Sequence, residues 1–353
     1  MTAVAILPSR SEAATIADVT SAVDQAIDDP TALIINADCS LDSATTAAFS
    51  AVPTRARKLP ITHVPAGKGR QVLYALQLVE MPPDTVVLIA DTDTRNPEPA
   101  MYRALLDAAR AGAGCAVADY RRYWDEGNLT HHIARPLLAA TGIDLPQPLA
   151  GDIALSDEAC TYALAHRRDL PHELGECVDG YGIDAFLVTA AARSGQRVTG
   201  IPLERTKQHA PSFPHLPAIF QQAVPVLLAV TAERPLRAAE HPGRVAYQLT
   251  DRPIPDDRLA AMVTALDRLA PHTTELSADP WPAPLFAAWR ATRNGIPAAQ
   301  AATTLWPFYI ERVRTWLTTS HLPITARGAR LAEAHQRLVR WITNDTNLQE
   351  MTP

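Results

Sequence analysis

The residues best suited to chemistry in this chain are two aspartates that end an apolar run. In the segment TVVLIADTDT, which covers residues 85–94, Asp91 and Asp93 follow four consecutive aliphatic residues and an alanine. Carboxylate oxygens at this spacing suit a hard divalent cation such as Mg²⁺ or Mn²⁺. Acidic residues after a strand are also common turn formers and helix caps, so the motif alone leaves both interpretations open.

The apolar run before these aspartates has no polar alternation, which is typical of a strand buried on both faces of a parallel or mixed sheet. Ligands bind at the carboxyl ends of such strands, where the aspartates stand. The surrounding pattern alternates strands and helices and predicts an α/β fold with a Rossmann-like half. Strands are predicted at 3–7, 32–35, 61–64, 114–119 and 198–203, and helices at 14–27, 71–79 and 98–111.

Polar loops follow the first three predicted strands and should reach the same sheet edge. The first is Pro8–Glu12, whose serines could cap the next helix and whose amides would attract anions or sugar hydroxyls. The second covers residues 36–42. The third contains Gly67-Lys68-Gly69, where glycines let the backbone approach a ligand and lysine suits a diphosphate. It lacks the spacing of a Walker motif, and ordinary turns remain the alternative for these loops.

Three later segments add candidate side chains. Asp184 stands in the first turn of a predicted helix, where helix capping alone would also explain it. His209 follows a strand and could complete a cation site begun by the two aspartates, although such a histidine is usually a surface residue. His131 and His132 point about 100° apart on a helix, so a structural or acceptor-facing role is favoured over shared metal ligation.

Composition narrows the function classes. The chain has 353 residues, 47% hydrophobic and 20% charged, and 32 basic against 38 acidic residues give a net charge of 32 − 38 = −6. This balance argues against nucleic acid as the principal partner.

Four scattered cysteines form no C-x-x-C motif and predict reduced thiols. No cationic leader precedes the first apolar run, and the apolar run around 223–230 is about nine residues long against the roughly 20 that span a bilayer. A cytoplasmic protein without a membrane segment is therefore expected.

The chain after residue 255 has a helical pattern. Its apolar residues repeat at helical spacing and favour core or dimer contacts over a cofactor site. Pro280, Pro282 and Pro284 suggest a linker, and the tail after Asn344 is expected to be loose. The apolar stripe residues are Leu259, Met262, Val263, Leu266 and Leu269, then Val313, Trp316 and Leu317, then Leu331, Leu338, Trp341 and Ile342.

Taken in chain order, the polar loops resemble those of nucleotide-sugar glycosyltransferases with a GT-A fold. The narrower resemblance is to the retaining glucosyl-3-phosphoglycerate synthase and mannosylglycerate synthase group, over about residues 3–253. It implies a nucleotide-sugar-binding half at 1–120, an acceptor-binding half at 121–253 and a helical C-terminal extension at 254–353. The segments that carry it are 7–16, 40–45, 67–69, 91–93, 148–152 and 180–184.

The resemblance also implies site residues. Asp93 would ligate Mg²⁺ or Mn²⁺ with His209, while Asp91 would hold the ribose or the metal shell. Contacts to the nucleotide would come from Pro8, Ser9, Arg10, Glu12, Asn36, Ser40, Lys68, Asp91 and Thr92. Catalytic side chains would be Asp184, Lys68, Arg205 and Lys207. Acceptor contacts would come from Gly127, Asn128, Thr130, Leu149, Ala150, Gly151 and Asp152.

In such enzymes retention is thought to proceed on one face of the sugar, with the leaving phosphate helping to deprotonate the acceptor. Asp184 would then orient a hydroxyl or shield an oxocarbenium-like centre and would not be a nucleophile. The cation, Lys68 and Arg205 or Lys207 would stabilise the charge that develops on the departing diphosphate.

The chain departs from the pattern of this group at several positions. Ser11 replaces the usual asparagine, Asp152 and Asp184 replace glutamate, and Lys207 replaces arginine. Asn128 stands where an arginine would grip an acceptor phosphate, and losing that fixed cation removes a charge-assisted contact. Phosphoglycerate is therefore not the expected acceptor.

The predicted function is metal-dependent transfer of a sugar from a UDP- or GDP-sugar to a small polar acceptor, which could be a specialised metabolite, with retention and through oxygen or sulfur. A homodimer is expected. One alternative is a sugar-phosphate nucleotidyltransferase, although that class usually has a longer glycine-rich N-terminal loop than Pro8–Glu12. The other is a non-catalytic nucleotide-sugar-binding scaffold, against which the presence of Asp91, Asp93 and His209 weighs.

Overall fold

The computed structural model describes residues 2–209, 213–233, 245–270 and 280–350. Two compact units share the chain. Unit 1 comprises Met1–Tyr120 and Gln147–His215, and unit 2 comprises Arg121–Pro146 and Leu216–Pro353. The strands are β1 (Ala3–Ser9), β2 (Leu33–Asp38), β3 (Arg57–Ile61), β4 (Val86–Ile89), β5 (Cys115–Tyr123), β6 (Ile153–Ser156), β7 (Val198–Thr206) and β8 (Leu249–Thr250).

The helices lie in both units. They are α1 (Ile16–Ile27), α2 (Ala44–Ala51), α3 (Lys68–Leu78), α4 (Pro99–Arg110), α5 (Arg135–Ala140), α6 (Asp157–Asp169), α7 (His172–Asp179), α8 (Ile183–Arg193), α9 (Leu216–Ala232), α10 (Asp256–Leu269), α11 (Ala283–Arg293), α12 (Ala298–Leu317) and α13 (Ile324–Glu350). A π-helical turn, Thr130–Ala134, precedes α5.

The sheet of unit 1 has the strand order β3-β2-β1-β4-β6-β5-β7. β1 pairs in parallel with β2 and β4, and β2 pairs in parallel with β3. β6 is antiparallel to both β4 and β5. β1 and β4 are buried along their whole length, as their unbroken apolar sequences predict. The mixed sheet with helices around it confirms the predicted α/β class.

Local sequence explains where several helices begin. Pro99 opens α4 at a position where its missing N–H costs nothing. Ser156 caps α6, because its hydroxyl accepts a 3.1 Å hydrogen bond from the Ala159 amide. Asp184 lies in the first turn of α8, as predicted.

The core of unit 2 is helical. α9 packs against α5, α11 and α12, and α13 packs against α5 and α11. Together with the preceding 3₁₀ turn, α9 forms an apolar stretch, Phe213–Ala232, whose 20 residues are enough to cross a bilayer by length and composition. This is longer than the sequence estimate of about nine residues, and half of its most apolar window is buried, as in the core helix of a folded unit.

Some predicted elements are misplaced. The strand expected at 61–64 is β3, which ends at Ile61. β6 was not predicted, and α13 runs on to Glu350 where a loose tail was expected. No glycine or proline lies between Asn344 and Thr352 to stop that helix. In the apolar stripe of α10 only Leu266 is fully buried.

Candidate active site

The carboxyl ends of β1, β2 and β4 bring the predicted polar loops of unit 1 to one sheet edge. The parallel register places Ser9 beside Asp38. The Ala90 amide, just past β4, still bonds to β1 by donating to the Ile6 carbonyl at 3.1 Å. Asp91 and Asp93 therefore emerge next to the loop that follows β1, which is the position expected of a ligand site in such a sheet.

Asp38 organises the two loops assigned to the nucleoside, and sequence reasoning missed it. Its carboxylate accepts hydrogen bonds from the Ser9 hydroxyl (3.1 Å), the Ser40 amide (3.0 Å) and the Thr46 hydroxyl (2.8 Å). The Ser40 hydroxyl also donates to it at 2.5 Å and accepts from the Ser11 amide at 2.8 Å. Asp38 is 2% exposed, so its carboxylate holds these two loops together from inside the protein.

Gln71 and Asn36 complete this framework. The Gln71 amide donates to the carbonyls of Ser9 (2.7 Å) and Ala37 (2.6 Å), which joins the ends of β1 and β2. Asn36 is fully buried and donates to Leu7 and Ser9, so its amide nitrogen is occupied within the protein.

The glycines on either side of Lys68 are required by packing between loops. A Cβ at Gly67 would lie 2.4 Å from the Asp179 carbonyl oxygen, and one at Gly69 would lie 1.8 Å from that of Val178. The sequence interpretation was that these glycines let the backbone approach a ligand, with ordinary turns as the alternative. The structure shows that they let the start of α3 meet the end of α7, which places Lys68 beside Asp184.

Lys68 joins two of the predicted site carboxylates. Its Nζ lies 2.9 Å from Asp91 Oδ1 and 2.9 Å from Asp184 Oδ1. The lysine side chain is 16% exposed and that of Asp91 24%. Lys68 is therefore the more exposed of the two lysines, since the Lys207 side chain is 2% exposed.

Lys207 holds the other oxygen of Asp91. Its Nζ lies 2.7 Å from Asp91 Oδ2 and 2.7 Å from Asp152 Oδ2. The Tyr120 hydroxyl donates to the same Asp152 oxygen, and the Asp91 amide donates to Asp152 Oδ1 at 3.0 Å. The charged cluster, as we call it, thus comprises Lys68, Asp91, Asp152, Asp184 and Lys207.

Gly151 lets the chain close around Asp91. Its φ is +84°, and a Cβ there would lie 1.9 Å from Asp91 Oδ2. A glycine is needed at this position both for the backbone angle and for the close approach.

Burial and the opposing charges shift the pKa values of the cluster. Burial alone would lower the pKa of Lys68, but Asp184 and Asp91 overcome it and raise the pKa. Burial would likewise lower the pKa of Lys207, but the negative charges of Asp152 and Asp91 outweigh burial and raise that pKa. Burial would raise the pKa of Asp91, yet the two lysines hold it far below its usual range. Lysines and Asp91 are therefore charged at neutral pH.

Asp93 differs from Asp91. It makes no hydrogen bond or close ion pair within the described part of the chain. Burial first, and then the negative charge of Asp91, raise its pKa, while Lys207 and His209 act in the opposite direction. Burial also raises the pKa of Asp184, partly offset by Lys68.

The residues present fit a divalent cation. With Asp93, the charged cluster holds four carboxylates and two ammonium groups, so ionisation of all four leaves an excess of two negative charges. Asp93 is the carboxylate that makes no close ion pair within the described residues, and carboxylate oxygens are the ligands that Mg²⁺ and Mn²⁺ prefer. Among residues that the structure describes, no three His, Cys, Asp or Glu side chains lie together as a ready ligand set, and both Asp91 oxygens are paired with lysines.

Other predicted residues take different positions. Arg205 is 75% exposed and pairs with Glu98, beside a cavity of about 240 Å³ between the start of α4 and β7. Arg10 is exposed, and His209 and Glu12 are half-buried. Thr92 is buried and donates to the Pro8 carbonyl at 2.7 Å. Pro8 is buried, and Leu149 and Ala150 precede Gly151 in the turn that leads to Asp152.

The remaining acceptor residues, Gly127, Asn128 and Thr130, belong to unit 2. Asn128 is 9% exposed and its amide donates to the Asp125 carbonyl at 3.2 Å. His131 and His132 follow in the π-helical turn and are buried against aromatic rings, His131 against Tyr247 and His132 against Trp281 and Trp316. Burial lowers the pKa of both, to about 3 for His131, so both are neutral at pH 7.

Comparisons with known proteins identify the fold of this chain. No model of a known protein family matches it, and no curated protein sequence does. Solved structures of glucosyl-3-phosphoglycerate synthase from Mycobacterium tuberculosis do match, each over 65% of this chain with a TM-score of 0.51. The complex with Mn²⁺, UDP and phosphoglyceric acid has 27% sequence identity to this chain, and 78% of the synthase chain is covered by the match. The complex with Mn²⁺, UDP-glucose and glycerol 3-phosphate has 26% identity, with 80% of the synthase chain covered. The complex with Mg²⁺ and UDP has 26% identity, with 79% of the synthase chain covered.

These matches confirm the predicted resemblance, the GT-A fold and the assignment to the glycosyltransferases. Each of the three synthase complexes also contains Mn²⁺ or Mg²⁺, which agrees with the predicted cofactor.

Proposed function

We propose that this protein transfers a sugar from a nucleoside diphosphate, by preference UDP, to a small polar acceptor in a reaction that requires Mg²⁺ or Mn²⁺. The observation that carries the proposal is the concentration of carboxylates at the sheet edge, where Asp93 makes no close ion pair with any described residue and lies beside a buried cluster of paired lysines and aspartates. The similar synthase structures with UDP favour uracil as the base.

Asp93 would hold the cation, with His209 as the second protein ligand. A bound divalent cation neutralises the charge that develops on a leaving diphosphate. Lys68 is the more exposed lysine of the cluster and would contact the same group. Its fixed position, set by Asp91 and Asp184, means that little reorganisation is needed when the charge develops.

Asp184 would face the sugar and acceptor. Its ion pair with Lys68 and its burial fix the carboxylate in place, which suits the orientation of a hydroxyl or the stabilisation of a positive centre. We propose retention of configuration, with the leaving phosphate taking the acceptor proton. NMR of the anomeric proton gives the configuration of the product, and the same configuration as in the donor is expected.

The acceptor is proposed to lack a phosphate group. Asn128, at the position where the resembling group has arginine, is a buried neutral amide. A phosphate gains about twice as much from a charged donor as from a neutral one. Transfer to glycerate should therefore exceed transfer to 3-phosphoglycerate, and the reverse preference would contradict this assignment.

The first experiment is a thermal-shift panel of UDP, GDP, ADP and dTDP, each with and without Mn²⁺. A ligand at 100 times its Kd adds about 2.7 kcal/mol to the free energy of unfolding, which is readily measured. We expect stabilisation by UDP that depends on Mn²⁺ and is lost in Asp93→Ala. Lys58→Met is a suitable control, since Lys58 donates to the carbonyls of Phe49, Ser50 and Val52 and makes no hydrogen bond or ion pair with the charged cluster.

Donor hydrolysis separates an enzyme from a scaffold. The wild-type protein with Mn²⁺ should release UDP from a UDP-sugar slowly, and Asp93→Ala should not. Binding of the nucleotide without any turnover would favour the scaffold instead.

We also propose a homodimer in the cytoplasm. The apolar stripe of α10 supports the dimer, because Leu259, Met262, Val263 and Leu269 are only half-buried. Light scattering at micromolar concentration should give twice the mass of 38.2 kDa, and a monomer mass would contradict the proposal.

A further inference from the structure

The Lys207 side chain is buried within unit 1 and paired with carboxylates there, although its position two residues before His209 suggests a diphosphate contact. Its side chain is 2% exposed. Its ammonium reaches Asp91 and Asp152 at 2.7 Å each, and its third neighbour is the Ala150 carbonyl at 3.4 Å. Lys207 therefore differs from Lys68 in exposure, since the Lys68 side chain is 16% exposed.

Lys207 fixes the direction of Asp91. The two Asp91 oxygens are divided between two lysines, with Oδ2 held by Lys207 and Oδ1 lying 2.9 Å from Lys68. Because a carboxylate group is planar and rigid, holding one oxygen sets where the other points. The position of the Lys68 ammonium therefore depends on a lysine that it does not touch.

Asp152 holds Lys207 from the other side. Asp152 is fully buried, and the Tyr120 hydroxyl and the Asp91 amide both donate to it. The ring of Tyr120 also faces the Lys207 ammonium at 5.3 Å, a favourable cation–π distance. Gly151 keeps this turn against Asp91. Asp152, Tyr120 and Gly151 thus hold Lys207 and Asp91 against each other.

We propose that Lys207 is a positioning residue which, paired with Asp152, orients Asp91 and through it aims Lys68 at the donor diphosphate. Lys207 itself does not contact the diphosphate. The proposal rests on the proposed function for the identity of the ligand. It assigns Lys207 a role different from that of the arginine that the sequence resemblance places at this position.

The test compares Lys207→Met, Asp152→Asn and the double variant with the wild-type protein, using calorimetric titration with UDP and Mn²⁺. Lys207→Met leaves the buried Asp152 carboxylate without a counter-charge, which is strongly unfavourable. Asp152→Asn removes that charge and keeps the shape, so that in the double variant Asp91 no longer faces an unpaired carboxylate. Lys58→Met is the matched lysine control.

We expect Lys207→Met to weaken UDP binding about 10- to 100-fold, the range typical of residues that position a ligand-binding group. The double variant should return to within about threefold of the wild-type affinity, because the repulsion between Asp91 and an unpaired Asp152 is removed and the bond from the Asp91 amide to position 152 is kept. Unfolding by urea without nucleotide should show the same rescue of stability.

Two results would overturn the inference. A double variant that binds UDP as weakly as Lys207→Met would mean that the ammonium contacts the diphosphate directly. Wild-type affinity in Lys207→Met would mean that Asp91 needs no second lysine. The proposed function fails separately, if the wild-type protein itself binds neither UDP nor GDP with Mn²⁺, and this inference then fails with it.

Discussion

Two regions of this protein bury polar side chains in opposite ways. At the sheet edge of unit 1, aspartates and lysines are paired at 2.7–2.9 Å. In the π-helical turn of unit 2, His131 and His132 are buried as neutral rings against aromatic side chains. Charge is thus matched by opposite charge at the sheet edge and removed by deprotonation in the π-helical turn.

The difference agrees with the role proposed for the sheet edge. A site for a metal ion and a diphosphate would need fixed charges that remain when the ligand leaves, and each carboxylate of the charged cluster has a lysine partner. His131 has no hydrogen-bond partner for either ring nitrogen within the described residues, and burial without a partner favours its neutral form. Substitutions that test packing and pH should therefore affect the two units differently.

The largest expected effect is in unit 1, from Gly151→Ala. The new methyl group would lie 1.9 Å from Asp91 Oδ2, at a φ of +84°. Overpacking and backbone strain together predict a loss of about 2–4 kcal/mol in the free energy of unfolding. Urea unfolding measures it. Gly112→Ala is the control, because Gly112 also has a positive φ of +89° but no atom lies within 4 Å of an added Cβ there. Only the backbone strain, about 1 kcal/mol, should therefore lower the stability of that variant. Equal losses in the two variants would show that Asp91 moves aside freely.

The second effect is a pH dependence that arises in unit 2. Burial lowers the pKa of His131 to about 3 and that of His335 to about 4. The unfolded state, with a histidine pKa of about 6.5, takes up protons first as the pH falls. Stability is therefore present above pH 6.5 and is lost on acidification below it, by about 2 kcal/mol for each buried histidine at pH 5.

Urea unfolding at pH 7 and pH 5 should show this loss, and His131→Phe should reduce it by about 2 kcal/mol because one titrating group is removed. The exposed His321 serves as the control, and His321→Gln should leave the loss unchanged. If His131→Phe has the same pH dependence as the wild-type protein, the histidine is not neutral in the folded state.

The smallest effect is at Ser11 in unit 1, the serine found where the resembling group has asparagine. Ser11 adopts φ of +59°, a left-handed conformation that asparagine tolerates better than most residues. Ser11→Asn should therefore raise the free energy of unfolding by about 0.5 kcal/mol. Thermal unfolding measures the change, and Ser11→Ala, which lacks a polar side chain, should give no gain. A loss in Ser11→Asn would mean that the serine hydroxyl has a role of its own.

Sequence alone could predict the elements that place the site, because their signals are local. The apolar run of β4, the aspartates that follow it and the place of Asp184 at the start of α8 agree with the structure. β3 was displaced because its sequence, Arg57-Lys-Leu-Pro-Ile61, carries two cations and a proline. Those residues suit an edge strand but hide its β pattern.

The contacts that define the site could not be predicted from local patterns. Lys68 and Asp184 are 116 positions apart, as are Asp91 and Lys207. A lysine is rarely buried, so nothing in its neighbourhood indicated that Lys207 would be 2% exposed. Asp38 looked like one polar residue in a loop, and only the parallel pairing of β1 and β2 shows that it holds Ser9.

Gln71 has a consequence for the thermodynamics of ligand capture. By joining the ends of β1 and β2, it holds the loop before Glu12 and the loop that contains Ser40 in place before any nucleotide arrives. The conformational entropy of these loops is therefore lost when the chain folds and not when the donor binds. Association with the donor should need little rearrangement on this side of the site, and its enthalpy should reflect direct contacts more than loop ordering.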